Sequence, residues 1–496
     1  MHVFKPLRNY LRGLNQEAVL SSIYYLSNHL EWDGELPRHL VQANPYNKHK
    51  MRLGFYLWSL DTLSREVILS ADPRHGNRDI NWRVCAKALR LIHNAEESVS
   101  KNIDDHTVFS EMNRIGHRQF HWQQAFSHDD LARYMRIYSH PGMREVIEAE
   151  YGLKVEQLFQ GGFALLATFL SHEALASDFS DKATKMMGFD MAPLMERFTT
   201  TIEEIRPLVQ GEQSLDQDWA YTFNPLRTYP LLKMPSGITR CPMIGMLSRR
   251  FTDGMYYEVG KIPNALSRHL GPAYQAYVGE VLTRSSAGKF SVIPEMPYGT
   301  AKKPKDTVDW IVEDQSGSLF IECKVLRLSK LARSKMAPAP ETEREYKKLA
   351  KAIAQIYQTL EDALHGHYPN WSLSDNPVYP LIVTMDDWNL FTSVTQGLID
   401  ELARDEMTKR GVDPRFLGSH PYKICHIREF EQAIQVMSHA SIAKVMGGIQ
   451  SKERLGWQMS GYLNTDFPQE IKLSRSLFPE DRKLIMPPVL RSLNNI

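Results

Sequence analysis

At 496 residues the chain is longer than a single hydrophobic core usually supports, so two or more domains are expected. Its 43% hydrophobic and 24% charged residues exclude wholesale disorder and a fibrous fold. The formal charge of +1 excludes a histone-like polycation, but a near-neutral total can hide a local basic surface, so a nucleic-acid partner is not excluded.

The N-terminal stretch has no apolar h-region, and the longest apolar run, Phe163 to Leu170, is well short of the ~20 residues of a membrane span. Neither secretion nor membrane insertion is expected. Residues 1–223 carry apolar residues at helical spacing, as in Leu153, Val155, Leu158, Phe159, Phe163, Leu166, Phe169 and Leu170. They predict an all-helical domain with a regulatory, recognition or assembly role. Residues 224–270 begin with a stretch whose prolines and glycine rule out a long helix, so an extended connector followed by a helix is expected there.

From 271 to 440 helix-like and strand-like segments alternate. A helix over Gly271 to Thr283 leads into the short runs SVIPEM, TVDWIV and SLFIECKVL. The last two are separated by the polar, glycine-containing loop Glu313 to Gly317, a hairpin signal. A helix over Thr342 to His365, a strand over Val378 to Thr384, a helix over Thr395 to Lys409, a strand over Tyr422 to Ile427 and a helix from Glu429 complete the pattern. The order predicts a mixed sheet with helices on both faces, and hence a multidomain α+β or α/β protein. Residues 441–496 read as a helical, then irregular extension broken by Pro468, Pro479, Pro487 and Pro488. The four cysteines, Cys85, Cys241, Cys323 and Cys425, have no CxxC spacing, which argues against a disulfide framework or zinc ribbon and fits a reducing cytoplasm.

The chemistry concentrates at Glu322-Cys323-Lys324. Acid and lysine two apart on a strand point to one face, where Phe320 also lies, while Leu319, Ile321, Cys323 and Val325 form the expected core face. Two charges on an apolar strand are costly to bury unless paired or metal-bound. The bland alternative is a solvated ion pair, or a pair with Asp309. The same acid-x-lysine pattern recurs at Glu345-Tyr346-Lys347, Glu470-Ile471-Lys472 and Asp481-Arg482-Lys483, in a helical stretch or near the C-terminus. Only the triplet at 322 follows a hairpin from an acid-bearing strand. Asp309 is the preferred partner because it leaves a hairpin loop of sensible length, and Asp306 is its rival.

GPAYQAYVGEVL with Glu280, VDWIV with Asp309 and FIECK with Glu322 and Lys324 together resemble the PD-(D/E)XK nuclease superfamily, the restriction-endonuclease-like fold. The resemblance covers roughly 271–427, and the literal Pro-Asp pair is replaced by Val308-Asp309. It implies Mg²⁺, with Mn²⁺ as a substitute, held by Asp309, Glu322 and the Cys323 carbonyl, with Glu280 as an outer ligand or second-metal acid. Lys324 is then the catalytic base or charge stabiliser. Gln355 supports the site and Tyr357 is a weaker candidate, since the two are not at the Gln-xxx-Tyr spacing of one nuclease branch.

Lys302, Lys303, Lys305, Arg327, Lys330, Arg333 and Lys335 flank the motif, and Lys347, Lys351, Gln355 and Gln358 share one helix face. Such a basic cluster suits a phosphate backbone, although charge runs are usually solvated loops. His117 and His121 have metal-pair spacing but no HExxH glutamate, and Asp386-Asp387 fit a cap for the next element. No P-loop or GxGxxG occurs. The resemblance implies a cytoplasmic, metal-dependent DNA nuclease, in anti-phage defence by family analogy, with homo-oligomer or partner contacts through the helical domain. The alternative is a non-catalytic nucleic-acid-binding or assembly subunit on the same fold.

Overall fold

Apolar residues at helical spacing become helices through most of the N-terminal half of the computed structural model, which describes residues 2–41, 55–100, 108–335, 339–390, 392–454 and 456–493. In the helix Val155–Ser171 Leu158, Phe159, Phe163, Leu166 and Phe169 of the predicted stripe are buried, while Leu170, expected with them, is exposed. Among the described residues no helix is long and apolar enough to cross a membrane. The chain divides into two compact units, one built from Met1–Ile103, Arg118–Pro263 and Phe478–Ile496, the other from Asp104–His117 and Asn264–Leu477.

Two expectations about the first unit change. It is not all-helical, because the short strands Ala174–Leu175, Thr239–Arg240, Leu231–Lys233 and Thr199–Thr201 form a small four-stranded sheet in that order. The break expected at 223/224 also falls inside this unit. The proline-rich stretch is extended as expected, but extended chain pairs with strands, and Asn224 is fastened to the helix Leu57–Ser70 through bonds from Nδ2 to Asp61 Oδ1 (2.7 Å) and Ser64 Oγ (3.0 Å). The C-terminal residues from Phe478 belong to this unit too, not to a separate extension. Pro468 and Pro479 open helices rather than interrupt them, because a first-turn proline gives up no hydrogen bond.

In the second unit, α1 (Gly271–Ser286) precedes β1 (Ser291–Pro294). A two-stranded ribbon follows, β2 (Pro297–Thr300) and β3 (Lys303–Asp306), for which the sequence carries no strong signal. Then come β4 (Trp310–Asp314), β5 (Gly317–Lys324), α2 (Lys330–Ser334), α3 (Pro340–Leu364), β6 (Val378–Thr384), α4 (Ser393–Arg410), β7 (Lys423–His426) and α5 (Ile427–Ala440). The five-stranded sheet runs β7-β6-β5-β4-β1, parallel across β7, β6 and β5 and antiparallel across β5, β4 and β1. The β4–β5 turn is tighter than expected. Asp314 pairs with Gly317, and its Oδ1 accepts from the Ser316 and Gly317 amides.

Phe320, Ile311 and Ile382 pack with Ile353, Ile356 and Leu360 of α3 and Ile399 of α4 in one core. On the opposite face α1 lies so close to β4 that a Cβ on Gly279 would stand 2.2 Å from the Trp310 ring, so that position requires glycine. The expectation that only the Leu319 side of β5 is core is therefore corrected. Central in its sheet and covered on both faces, β5 buries Leu319, Phe320 and Ile321 completely.

Candidate active site

Strand pairing assembles the site. Trp310 faces Ile321 and Ile311 faces Phe320, so continuing the register by one residue sets Asp309, just before β4, opposite Glu322. Directly opposed residues of an antiparallel pair share a face. Asp309 Oδ2 accepts from the Cys323 amide at 2.6 Å. Lys324 Nζ donates to Glu322 Oε1 at 2.5 Å and to Gln355 Oε1 on α3 at 3.2 Å. Four predicted side chains, Asp309, Glu322, Lys324 and Gln355, thus meet at one end of the sheet, with the Cys323 backbone between them. Asp306, the rival acid, lies on the exposed ribbon opposite Pro297.

The electrostatics follow from placing two carboxylates where the Glu322 side chain is 2% exposed. Burial, and then the charge of Glu322, push Asp309 up to about 8, against the Cys323 amide and the Lys324 ammonium. Burial likewise raises Glu322, opposed by Lys324. For Lys324 burial acts downward, but Glu322 and Asp309 outweigh it and its pKa is raised, so the side chain is an ammonium at neutral pH. The Cys323 thiol is driven upward by burial and stays protonated.

These residues fit a hard divalent cation. Two close carboxylates whose charge is penalised by burial are what such a cation offsets, and each carboxylate uses only one oxygen in the bonds above. Among the described residues no set of three His, Cys, Asp or Glu side chains converges as a complete ligand shell. Mg²⁺ needs none, since one or two carboxylates plus water and phosphate oxygens suffice.

Other candidates sit elsewhere. Glu280 follows Gly279 on α1, the helix against the Trp310 face. The third acid whose charge reaches both Asp309 and Glu322 is instead Glu295, which no sequence motif singles out. Its amide donates to the Asp309 carbonyl at 3.0 Å and its Oε2 accepts from Gln275 Nε2 at 2.9 Å. Its only signal is its place at the end of the SVIPEM run, readable once β1 is known to pair antiparallel with β4. Tyr357 is engaged away from this cluster, donating to the His420 carbonyl at 2.7 Å.

Several of the predicted basic residues are committed to acids. Lys305 bonds Asp362 at 2.6 Å and Lys347 bonds Glu343 at 2.7 Å. Arg333 bonds Asp386, and Arg333 and Arg327 overcome the effect of burial to hold Asp386 down to about 2. Lys302, Lys303, Lys330 and Lys351 are exposed. The two aspartates do not cap the next helix as expected, because Thr392 caps α4; Asp387 instead closes its own turn, accepting from the Asn389 amide at 2.7 Å. His117 Nδ1 lies 3.0 Å from Asn389 Nδ2 and burial lowers it to about 3, while the His121 carbonyl accepts from Arg249. Glu345-Tyr346-Lys347 is helical, as expected.

Comparison with family models, curated proteins and solved structures returns no match.

Proposed function

We propose that residues 271–440 form a PD-(D/E)XK-like domain and that the protein is a metal-dependent nuclease hydrolysing phosphodiester bonds in DNA. One observation carries this reading: Asp309, Glu322 and Lys324 meet across a β-hairpin beside Gln355 of the following helix. The order of α1, hairpin, α3 and β6 around them agrees with the resemblance seen in the sequence.

Asp309 and Glu322, with the Cys323 carbonyl, would hold the Mg²⁺. When bound, the ion supplies Lewis-acid polarisation of the scissile phosphate and acidifies a water. The Cys323 amide fixes the Asp309 carboxylate. Lys324, held as an ammonium by Glu322 and Asp309 and oriented by its bond to Gln355, enters as a cation that offsets charge on the phosphorane rather than as a base. Anti-phage defence is the biological setting this reading suits best, by analogy with the family alone.

The test is incubation of the purified chain with plasmid, linear DNA and RNA, with and without Mg²⁺, beside Glu322→Ala and Lys324→Ala. Metal-dependent cleavage of DNA that both substitutions abolish is the expected result. Cleavage surviving either substitution sinks the assignment, and persistent binding without cleavage across metals would favour a non-catalytic nucleic-acid-binding subunit.

A further inference from the structure

The ribbon formed by β2 and β3 stands outside the five-stranded sheet, and every residue of β3 is exposed. A lone two-stranded ribbon is marginal in water, so its shape must be held by other contacts. Those contacts lead to the carboxylate site. At the root, the Glu295 amide donates to the Asp309 carbonyl (3.0 Å), the Thr307 amide to the Met296 carbonyl (3.0 Å) and the Met296 amide to Thr307 Oγ1 (2.9 Å). Along one face, the Tyr298 hydroxyl and Lys305 Nζ both donate to Asp362 Oδ2 at 2.6 Å. The Tyr298 ring lies 5.4 Å from that of Tyr368, which stacks on Phe320, two residues before Glu322. Gly299 adopts φ +89°, and a Cβ there would come within 2.7 Å of the Lys303 carbonyl, so the bend is written into the chain.

What this framework presents is the tip. Thr300 pairs with Lys303, leaving Ala301 and Lys302 as the turn. Lys302 and Lys303 make no ion pair among the described residues, whereas Lys305 is spent on the anchor. Four residues at ~3.3 Å each carry the tip roughly 13 Å from the root. The major groove of a duplex, about 12 Å wide, admits a two-stranded ribbon. The tip carries ammonium groups, and most protein–DNA hydrogen bonds from such groups go to phosphate oxygens, so it would engage the backbone.

We propose that the ribbon 297–306 is a duplex-holding arm, lodging in a groove of double-stranded DNA with Lys302 and Lys303 on backbone phosphates roughly 13 Å away from the scissile bond. This rests on the nuclease reading and adds to it the preferred substrate form, duplex over single strand. The test is fluorescence anisotropy of the full chain with a short fluorescein-labelled DNA duplex, and with one strand of it, in Ca²⁺ across a salt series. Comparison is with Lys302→Gln/Lys303→Gln and Lys302→Glu/Lys303→Glu. The wild-type chain is expected to bind duplex more tightly than single strand. The Gln pair is expected to weaken duplex binding about tenfold and to reduce the salt slope by about 2, at ~0.9 for each phosphate no longer neutralised. Unchanged duplex affinity and salt slope in both variants, while the wild type still cleaves in Mg²⁺, would overturn the arm and leave the nuclease standing. A wild-type chain that neither binds nor cleaves would overturn both.

Discussion

At the scale of single residues, position within the sheet decides what Glu322 and Lys324 can do. Alternation along β5 puts them on one face, but burial of both faces turns an ordinary surface pair into a strained electrostatic site. Lys324→Ala is expected to reduce Mg²⁺-dependent cleavage by about 100-fold or more. Duplex binding in Ca²⁺, measured by anisotropy, should fall far less, separating lost chemistry from lost affinity. Glu295→Gln should raise the Mg²⁺ concentration needed for half-maximal cleavage, and isothermal titration with Mn²⁺ should show weaker binding. Unchanged metal affinity would remove Glu295 from the site. The acid-x-lysine triplet is legible locally, because strand alternation depends only on neighbours. Glu295 is not, because its relation to Asp309 exists only through pairing of β1 with β4.

At the scale of elements, close packing of α1 on the sheet positions β4 and with it Asp309. Gly279→Val forces a side chain into the Trp310 ring, and overpacking of this kind typically costs about 1–3 kcal/mol. The expected outcome is a lower denaturation midpoint, read by intrinsic fluorescence, with reduced cleavage at temperatures where the wild type is folded. Most elements of the second unit follow the sequence pattern to within a few residues, since long periodic helices and apolar strands announce themselves. The ribbon 297–306 does not, because its four-residue strands are largely exposed, with only Tyr298 half-buried, and carry no apolar alternation.

At the scale of the whole molecule, chain order and compact units do not coincide. Residues 478–496 complete the first unit, where Arg136 bonds Asp481 at 2.6 Å, Gln160 bonds the Leu484 carbonyl at 2.9 Å and Ile485 is fully buried. Truncation before Phe478 is therefore expected to lower the melting temperature by several degrees in a thermal-shift assay. A retained melting temperature would show that the helix Pro479–Leu493 is dispensable.

A pH effect belongs to this scale as well. Burial pushes Glu31, packed against Gly245 of the same unit, up to about 7 despite the opposing pull of Arg249. A carboxyl raised in the folded state binds its proton more tightly there than in the unfolded chain. Its contribution is therefore most favourable below about pH 4.5 and is lost as pH rises towards 7. Glu31→Gln should raise the melting temperature at pH 8, have little effect at pH 4.5 and flatten the profile between.

A helical first half, a mixed sheet flanked by helices and one hairpin bearing Asp309, Glu322 and Lys324 can all be read from the order of residues alone. Those features rest on periodicity and short-range pairing, which adjacent residues encode. Folding in three dimensions settles the rest: the proline-rich stretch near 224 lies inside a unit, Lys305 and Arg333 are paired to Asp362 and Asp386, and Glu295 is the third acid acting on the buried carboxylates. Each of these depends on partners well separated along the chain, which backbone register and packing bring together and no local pattern specifies.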